Sequence, residues 1–129
     1  MNLLQVEFIL YVDNQHKSCA FYSQVLGLIP VLDVEGMTEF DLPGGSKLGL
    51  MPCKGIARYI CPLMPDPSIA KGIPRCELYI VCDDPEKMLE NARKSGTLII
   101  DEVKPRNWGH KAGYFADPDG HIIAVAKTL

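Results

Sequence analysis

Two glutamates, Glu7 and Glu77, stand 70 residues apart near the head of two similar apolar runs. The first run is Val6-Glu7-Phe8-Ile9-Leu10-Tyr11-Val12-Asp13. The second is Arg75-Cys76-Glu77-Leu78-Tyr79-Ile80-Val81-Cys82-Asp83. In register, Leu10 falls on Ile80 and Asp13 on Asp83. Side chains alternate along a strand, so Glu7, Ile9 and Tyr11 share one face and Phe8, Leu10 and Val12 the other. The same alternation groups Glu77, Tyr79 and Val81. Two carboxylates that converge among apolar groups repel each other and lose hydration, which raises one pKa. One of them can then act as a general base or receive a cationic group on a ligand. The plainer role for each glutamate is an ion pair with a basic residue such as Arg58 or Arg75, holding the structure together.

A second constellation lies near the C-terminus. Trp108, the only tryptophan, sits in Pro105-Arg106-Asn107-Trp108-Gly109, followed by His110 and Tyr114. Tyr11 and Tyr79 add hydroxyls that can hold a polar ligand, or can be core tyrosines with a solvated tip. Met51 joins the ligand-facing set, although packing is its simplest use, as for Met37 and Met64.

The elements that must position these residues follow from pattern. Residues 6–12 are a strand. Asn14 can cap a helix that begins near Gln15 and closes at Gly27. Short strands are expected over Pro30–Val34, Met37–Asp41 and Lys47–Met51, with a turn at Pro43-Gly44-Gly45. Residues 52–74 hold five of the ten prolines and read as a linker that packs as a cover on a pocket. Cys76–Cys82 is a strand. Asp84-Pro85 starts a helix over Glu86–Ser95 that Gly96 ends. A strand at Thr97–Glu102, a loop over Lys104–Lys111 and strands at Ala112–Ala116 and His121–Ala126 complete the chain. The last two are joined by Asp117-Pro118-Asp119-Gly120. The side chain of His121, just past this turn, is expected to face solvent. The order is βαβββ, linker, βαβββ, an α+β class.

The chain has 129 residues and a net charge of −3, which suits one domain of ordinary size. There is no basic patch for nucleic acid, no apolar run of membrane-spanning length and no leader-like N-terminus. Five cysteines without a C-x-x-C pair argue against a zinc knuckle and for reduced, mostly buried thiols in a cytoplasmic protein.

With this order, the strings Tyr11-Val12-Asp13-Asn14-Gln15-His16-Lys17-Ser18-Cys19-Ala20-Phe21-Tyr22, Val25-Leu26-Gly27-Leu28, Trp108-Gly109-His110 and Tyr114-Phe115-Ala116-Asp117-Pro118-Asp119-Gly120-His121 resemble the vicinal oxygen chelate superfamily. That group includes glyoxalase I, bleomycin resistance proteins, fosfomycin resistance proteins and extradiol dioxygenases. The resemblance implies the glyoxalase/bleomycin resistance fold: two βαβββ modules, about 3–51 and 75–129, forming a cupped mixed sheet around a ligand cavity, in a homodimer. It implies that the Trp108-Gly109 element helps to wall a ligand groove.

Metal-dependent members of this group are expected to supply one ligand from the first strand of each module and one glutamate from the last. Glu7 and Glu77 match the first-strand positions. The last-strand positions fall on Gly49 and Ala124, which cannot ligate. Two carboxylates without imidazole make a poor set for Zn²⁺. The expectation is therefore a protein without a cofactor that binds a small organic molecule in the cup. Tyr11, Tyr79, Met51, Trp108, His110 and Tyr114 would line it. The alternative is a lyase or isomerase, lactoylglutathione-lyase-like, with Glu7 and Glu77 catalytic, aided by a weakly held divalent metal on the same two carboxylates.

Overall fold

The computed structural model describes all residues, 1–129. The chain forms two compact units. One comprises Met1–Ser23 and Gly27–Ala70, the other Gln24–Leu26 and Lys71–Leu129.

The first unit contains β1 (Glu7–Val12), most of α1 (Gln15–Leu26), β2 (Leu32–Val34), β3 (Met37–Asp41), β4 (Lys47–Pro52) and α2 (Cys53–Ile60). Its sheet order is β1-β4-β3-β2. β1 runs parallel to β4, and β4, β3 and β2 pair antiparallel. The Asn14 side chain accepts the Lys17 amide at 3.0 Å and caps α1, and Gly27 ends it with φ 67°, in the left-handed region. Gln15 then ties the helix to the β2–β3 hairpin. Its Nε2 donates to Val34 O and Thr38 Oγ1, and its Oε1 accepts from the Gly36 amide. The covered sheet face holds Leu10, Val12, Phe40, Leu48 and Leu50, all buried. Each such side chain contributes about 1.5–3 kcal/mol by leaving water. The opposite face carries Glu7, Ile9 and Tyr11, as alternation requires.

The second unit repeats the plan with β5 (Glu77–Val81), α3 (Pro85–Lys94), β6 (Ile99–Pro105), β7 (His110–Ala116) and β8 (Ile122–Thr128) in the order β5-β8-β7-β6. Asp84 Oδ1 accepts the Lys87 amide and caps α3. Leu89 and Ala92 of α3 are buried, as are Phe115, Ile123 and Val125 on the sheet face that the helix covers. Glu77, Tyr79 and Val81 stay exposed on the other face.

Three local expectations change. The proline-rich segment after Met51 is not a plain linker: Cys53–Ile60 is helical, and a short 3-10 turn spans Pro67–Ala70. Pro52 immediately precedes the first helical residue, where a missing amide proton costs nothing. The loop expected over Lys104–Lys111 shrinks to residues 106–109, because β6 and β7 extend to Pro105 and from His110. None of the five cysteines forms a disulfide; only Cys53 is buried, and Cys76 is exposed. No helix is long and apolar enough to cross a membrane.

Candidate functional site

In the first unit, Glu7 lies over a glycine. Ile9 pairs with Gly49, and Gly49 pairs with Glu39 on β3. A Cβ placed on Gly49 would stand 3.1 Å from Ile9 Cγ1 and 3.3 Å from Glu7 Cδ. The bare backbone at Gly49 is therefore the floor on which the Glu7 carboxyl rests. Glu7 Oε1 is shut off from solvent and receives no hydrogen bond from a donor group. The neighbour able to share a proton with this carboxyl is Glu39. Burial, then the hydrogen bond with Glu39 and its negative charge, push the Glu7 pKa from 4.5 up to about 7, against the opposing pull of Lys47. Lys47 itself pairs with Asp41 at 3.0 Å.

Adding a methyl group here tests the arrangement. Gly49→Ala should displace the Glu7 carboxyl toward water, cost about 1 kcal/mol through crowding and return its pKa toward the ordinary range. Carbon-13 NMR of glutamate carboxyls reads this directly. A Glu7 midpoint that stayed near 7 would mean that the carboxyl does not depend on the glycine.

In the second unit, the four-residue connection between β6 and β7 presents Trp108 beside Tyr79 and His110. Trp108 Nε1 donates to Tyr79 Oη at 2.8 Å, and Tyr79 Oη lies 2.7 Å from His110 Nδ1. An indole nitrogen can only donate. The Tyr79 proton is then free to go to His110 Nδ1, which leaves the imidazole proton on Nε2. The Tyr79 and His110 rings also stack, with centroids 5.7 Å apart. Despite these bonds Trp108 is 52% exposed and Tyr79 38%. Aromatic surface of this extent, held by directed bonds yet open to water, forms a flat platform on this face.

Arg106 holds the platform's base. Its guanidinium donates to Ala112 O and Glu102 O, pairs with Asp101 at 3.0 Å and lies 5.2 Å from the centre of the Tyr114 ring. Tyr114 pairs with Ala124, which pairs in turn with Tyr79, so the two tyrosines flank one alanine across three strands. Burial, then the negative charge of Glu77, pushes the Tyr114 hydroxyl above its usual pKa, so it stays a neutral donor.

The family model described as the Glyoxalase/Bleomycin resistance protein/Dioxygenase superfamily matches residues 3–125. The chain belongs to this superfamily. Among curated proteins, the uncharacterized YraH of Bacillus subtilis (strain 168) is 27% identical over 136 residues, covering all of both chains. A glyoxalase-related enzyme from Fulvimarina pelagi superposes with a TM-score of 0.81 at 19% identity, over 95% of this chain and 86% of that one. TnmS3, an antibiotic binding protein from Streptomyces sp. CB03234, does so with a TM-score of 0.73 at 24% identity, over 100% and 99%. At these identities the superpositions establish the fold, two modules of mixed sheet and helix.

The superfamily's metal-dependent arrangement does not fit the residues present. Glu7 and Glu77 occupy the first-strand positions, but Gly49 offers only a hydrogen, and Ala124 is fully buried between two tyrosine-bearing strands. No step is derived through a metal. The two glutamates also differ from each other. Glu7 is half-buried with a raised pKa, whereas Glu77 is exposed. The ion-pair alternative fails for Arg75, whose NH1 donates to Ile73 O and whose NH2 meets His121 Nε2 at 2.8 Å.

His121 corrects the expectation of a solvent-facing ring, being only 2% exposed. Arg75 always donates, so His121 Nε2 accepts, and the ring proton sits on Nδ1 and goes to Asp117 Oδ2 at 2.7 Å. Asp117 Oδ1 also accepts the amides of Asp119 and His121. Asp117, Asp119 and His121 gather their ligand atoms within 4.8 Å of one another. With Arg75 at Nε2 and Asp117 at Nδ1, both ring nitrogens of His121 are engaged, and these bonds lock the turn. Gly120 fits beneath it because its φ is 88° and a Cβ would strike the Gly72 backbone.

Sequence reasoning named Glu7, Tyr79, Trp108, His110 and Tyr114, and the last four do meet in one unit. It missed Glu39 and Arg106. Alternation along Met37–Asp41 puts Glu39 on the same face as Met37 and Asp41. Its place beside Glu7 needs the β3–β4 register as well.

Proposed function

We propose that this protein binds a small, flat organic molecule on the open face of the second unit's sheet. The carrying observation is the Trp108–Tyr79–His110 chain: exposed aromatic rings whose orientations are held by hydrogen bonds before any ligand arrives, which lowers the ordering cost of binding. His110 Nε2–H and the Tyr114 hydroxyl supply donors for an acceptor group on the ligand. Tyr11 and Met51 lie half-buried on the first unit's own open face. The structural likeness to TnmS3, an antibiotic binding protein, accords with binding rather than turnover. A homodimer and a cytoplasmic setting remain parts of this proposal.

A second reading is favoured by one observation, the Glu7 pKa near 7. A carboxylate poised there is suited to proton abstraction at neutral pH. In that reading the protein is a lyase or isomerase with Glu7 as base, while Glu77 stays exposed on its own strand.

Because Trp108 is the single tryptophan, its fluorescence reports on the platform directly. Titration with a panel of fused-ring heteroaromatic compounds is expected to give saturable quenching for at least one of them. Trp108→Ala and Tyr79→Ala, followed by calorimetry, should each weaken that compound about tenfold, the upper end of an aromatic pair's worth. Undiminished binding in both variants would remove the platform from the function.

A further inference from the structure

We propose that the exposed tip that follows α2, from Tyr59 to Ile69 in the first unit, docks this protein on an anionic lipid surface. The inference does not depend on the aromatic platform, whose residues lie in the second unit.

Residues 52–74 read in the sequence as a cover on a pocket. The fold leaves much of this segment's apolar surface uncovered instead. Along α2, Cys53 is buried and Ile56, Ala57 and Ile60 are half-buried, the spacing of one helix face. That face packs on β4, on β1 and on the turn at Pro67–Ala70. The rest points away from the core. Tyr59 and Leu63 are 84% and 94% exposed, and Met64 and Ile69 are exposed with them. A group of large apolar side chains on a surface marks an interaction site.

The tip is nevertheless folded. The Cys61 amide donates to Ala57 O, the Met64 amide to Ile60 O and the Ile69 amide to Asp66 O. Closed turns, not a loose loop, display the apolar groups, so docking has little order left to impose.

Charge decides the occupant. Between Asp41 and Asp66 the chain has no carboxylate side chain, the longest such gap in a sequence with 16 acidic residues. The same stretch puts Lys54 and Arg58 on the exposed side of α2, one turn apart. Neither takes part in an ion pair. Asp66, at the far end, is half-buried and its Oδ1 accepts the Ser68 amide. Two unpaired cations beside protruding tyrosine, leucine and methionine side chains match the boundary of an anionic bilayer. The apolar tips enter the headgroup region, and the cations stay among the phosphates. A second copy of the chain fits less well. A twofold contact through this tip would set Lys54 and Arg58 close to their own copies, with no carboxylate from the stretch to offset them.

The test is flotation of the whole protein with vesicles of phosphatidylcholine and phosphatidylglycerol in equal parts, with pure phosphatidylcholine as the control, at low and high salt. The protein is expected to float with the anionic vesicles at low salt, to stay behind with the neutral ones, and to be released at high salt as its charges are screened. Lys54→Gln combined with Arg58→Gln should lower the partition coefficient about thirtyfold, the joint worth of two basic residues at such a surface. Leu63→Ser combined with Met64→Ser changes side chains already in water, so the fold is kept, as circular dichroism checks, and flotation should disappear. Absence of flotation, equal flotation with neutral vesicles, or anionic flotation unchanged in either double variant would overturn the proposal. So would a concentration-dependent dimer in the ultracentrifuge that Leu63→Ser with Met64→Ser abolishes while no vesicle floats the protein, which would make the tip a self-association surface. Quenching of Trp108 by heteroaromatic compounds is read separately, so failure here leaves the platform untouched.

Discussion

Asp117→Ala is expected to destabilise the second unit by about 3–5 kcal/mol, the range for breaking a buried polar network by deleting one partner. Asp117 is 4% exposed and accepts three hydrogen bonds, from the amides of Asp119 and His121 and from the His121 ring. Removing it strands two buried donors of His121 and the part-buried Asp119 amide, and the buried ones pay their lost hydration. The Arg75 guanidinium then faces an imidazole no longer oriented by a carboxylate. Asp117→Asn separates shape from charge. Its amide oxygen can still accept the backbone donors. Its NH₂ would meet His121 Nδ1, driving the ring proton to Nε2, where it would oppose Arg75. That variant should therefore recover only part of the loss. Urea unfolding of the three proteins checks this. A cost below 1 kcal/mol for Asp117→Ala would mean that the turn is held by backbone geometry alone.

Glu7 should make the protein less stable as pH rises from about 4.5 to 7. The sign follows from proton counting. Unfolded, the carboxyl titrates at its ordinary 4.5; folded, it holds its proton to about 7. Between those values the native state binds more protons than the unfolded one, so unfolding becomes easier with each step up in pH. The group's stabilising effect is complete below 4.5 and gone above 7. Glu7→Gln should flatten this window and raise stability at pH 8 by on the order of 2 kcal/mol, a value reduced from the full shift because the side chain is only half-buried. Thermal unfolding at pH 5 and pH 8 tests it. Other carboxylates do not mimic the effect. The hydrogen bond from Lys104 holds Asp101 low and that from Lys111 holds Glu86 low, so both act with the opposite sign and at lower pH. A wild-type slope that persisted in Glu7→Gln would place the titrating group elsewhere.

The two predictions draw on residues of unequal legibility. Glu7 stood out because a lone carboxylate near the head of an apolar strand is conspicuous, and because its counterpart recurs at Glu77. The duplication suggested equal roles. Their environments differ: Glu7 has Gly49 beneath it and Glu39 beside it, whereas Glu77 stays exposed on its strand. Asp117 and His121 were readable as a turn, since Asp-Pro-Asp-Gly is turn chemistry. Their burial was not, because it depends on Arg75, 46 positions from His121, arriving at Nε2. Trp108 was visible as the only tryptophan, but the bond from its indole to Tyr79 spans 29 positions.

Strand alternation, helix caps at Asn14 and Asp84, glycine stops and the repeated βαβββ order are local, and each is encoded within a few residues of where it acts. With the family strings they determined the fold and the superfamily from sequence alone. Pairing register, burial and the partner of each titratable group were decided only by the tertiary structure. A carboxyl's pKa and an indole's orientation depend on atoms a few ångströms away in space, and those atoms come from strands whose neighbours in the sheet are not their neighbours in the chain.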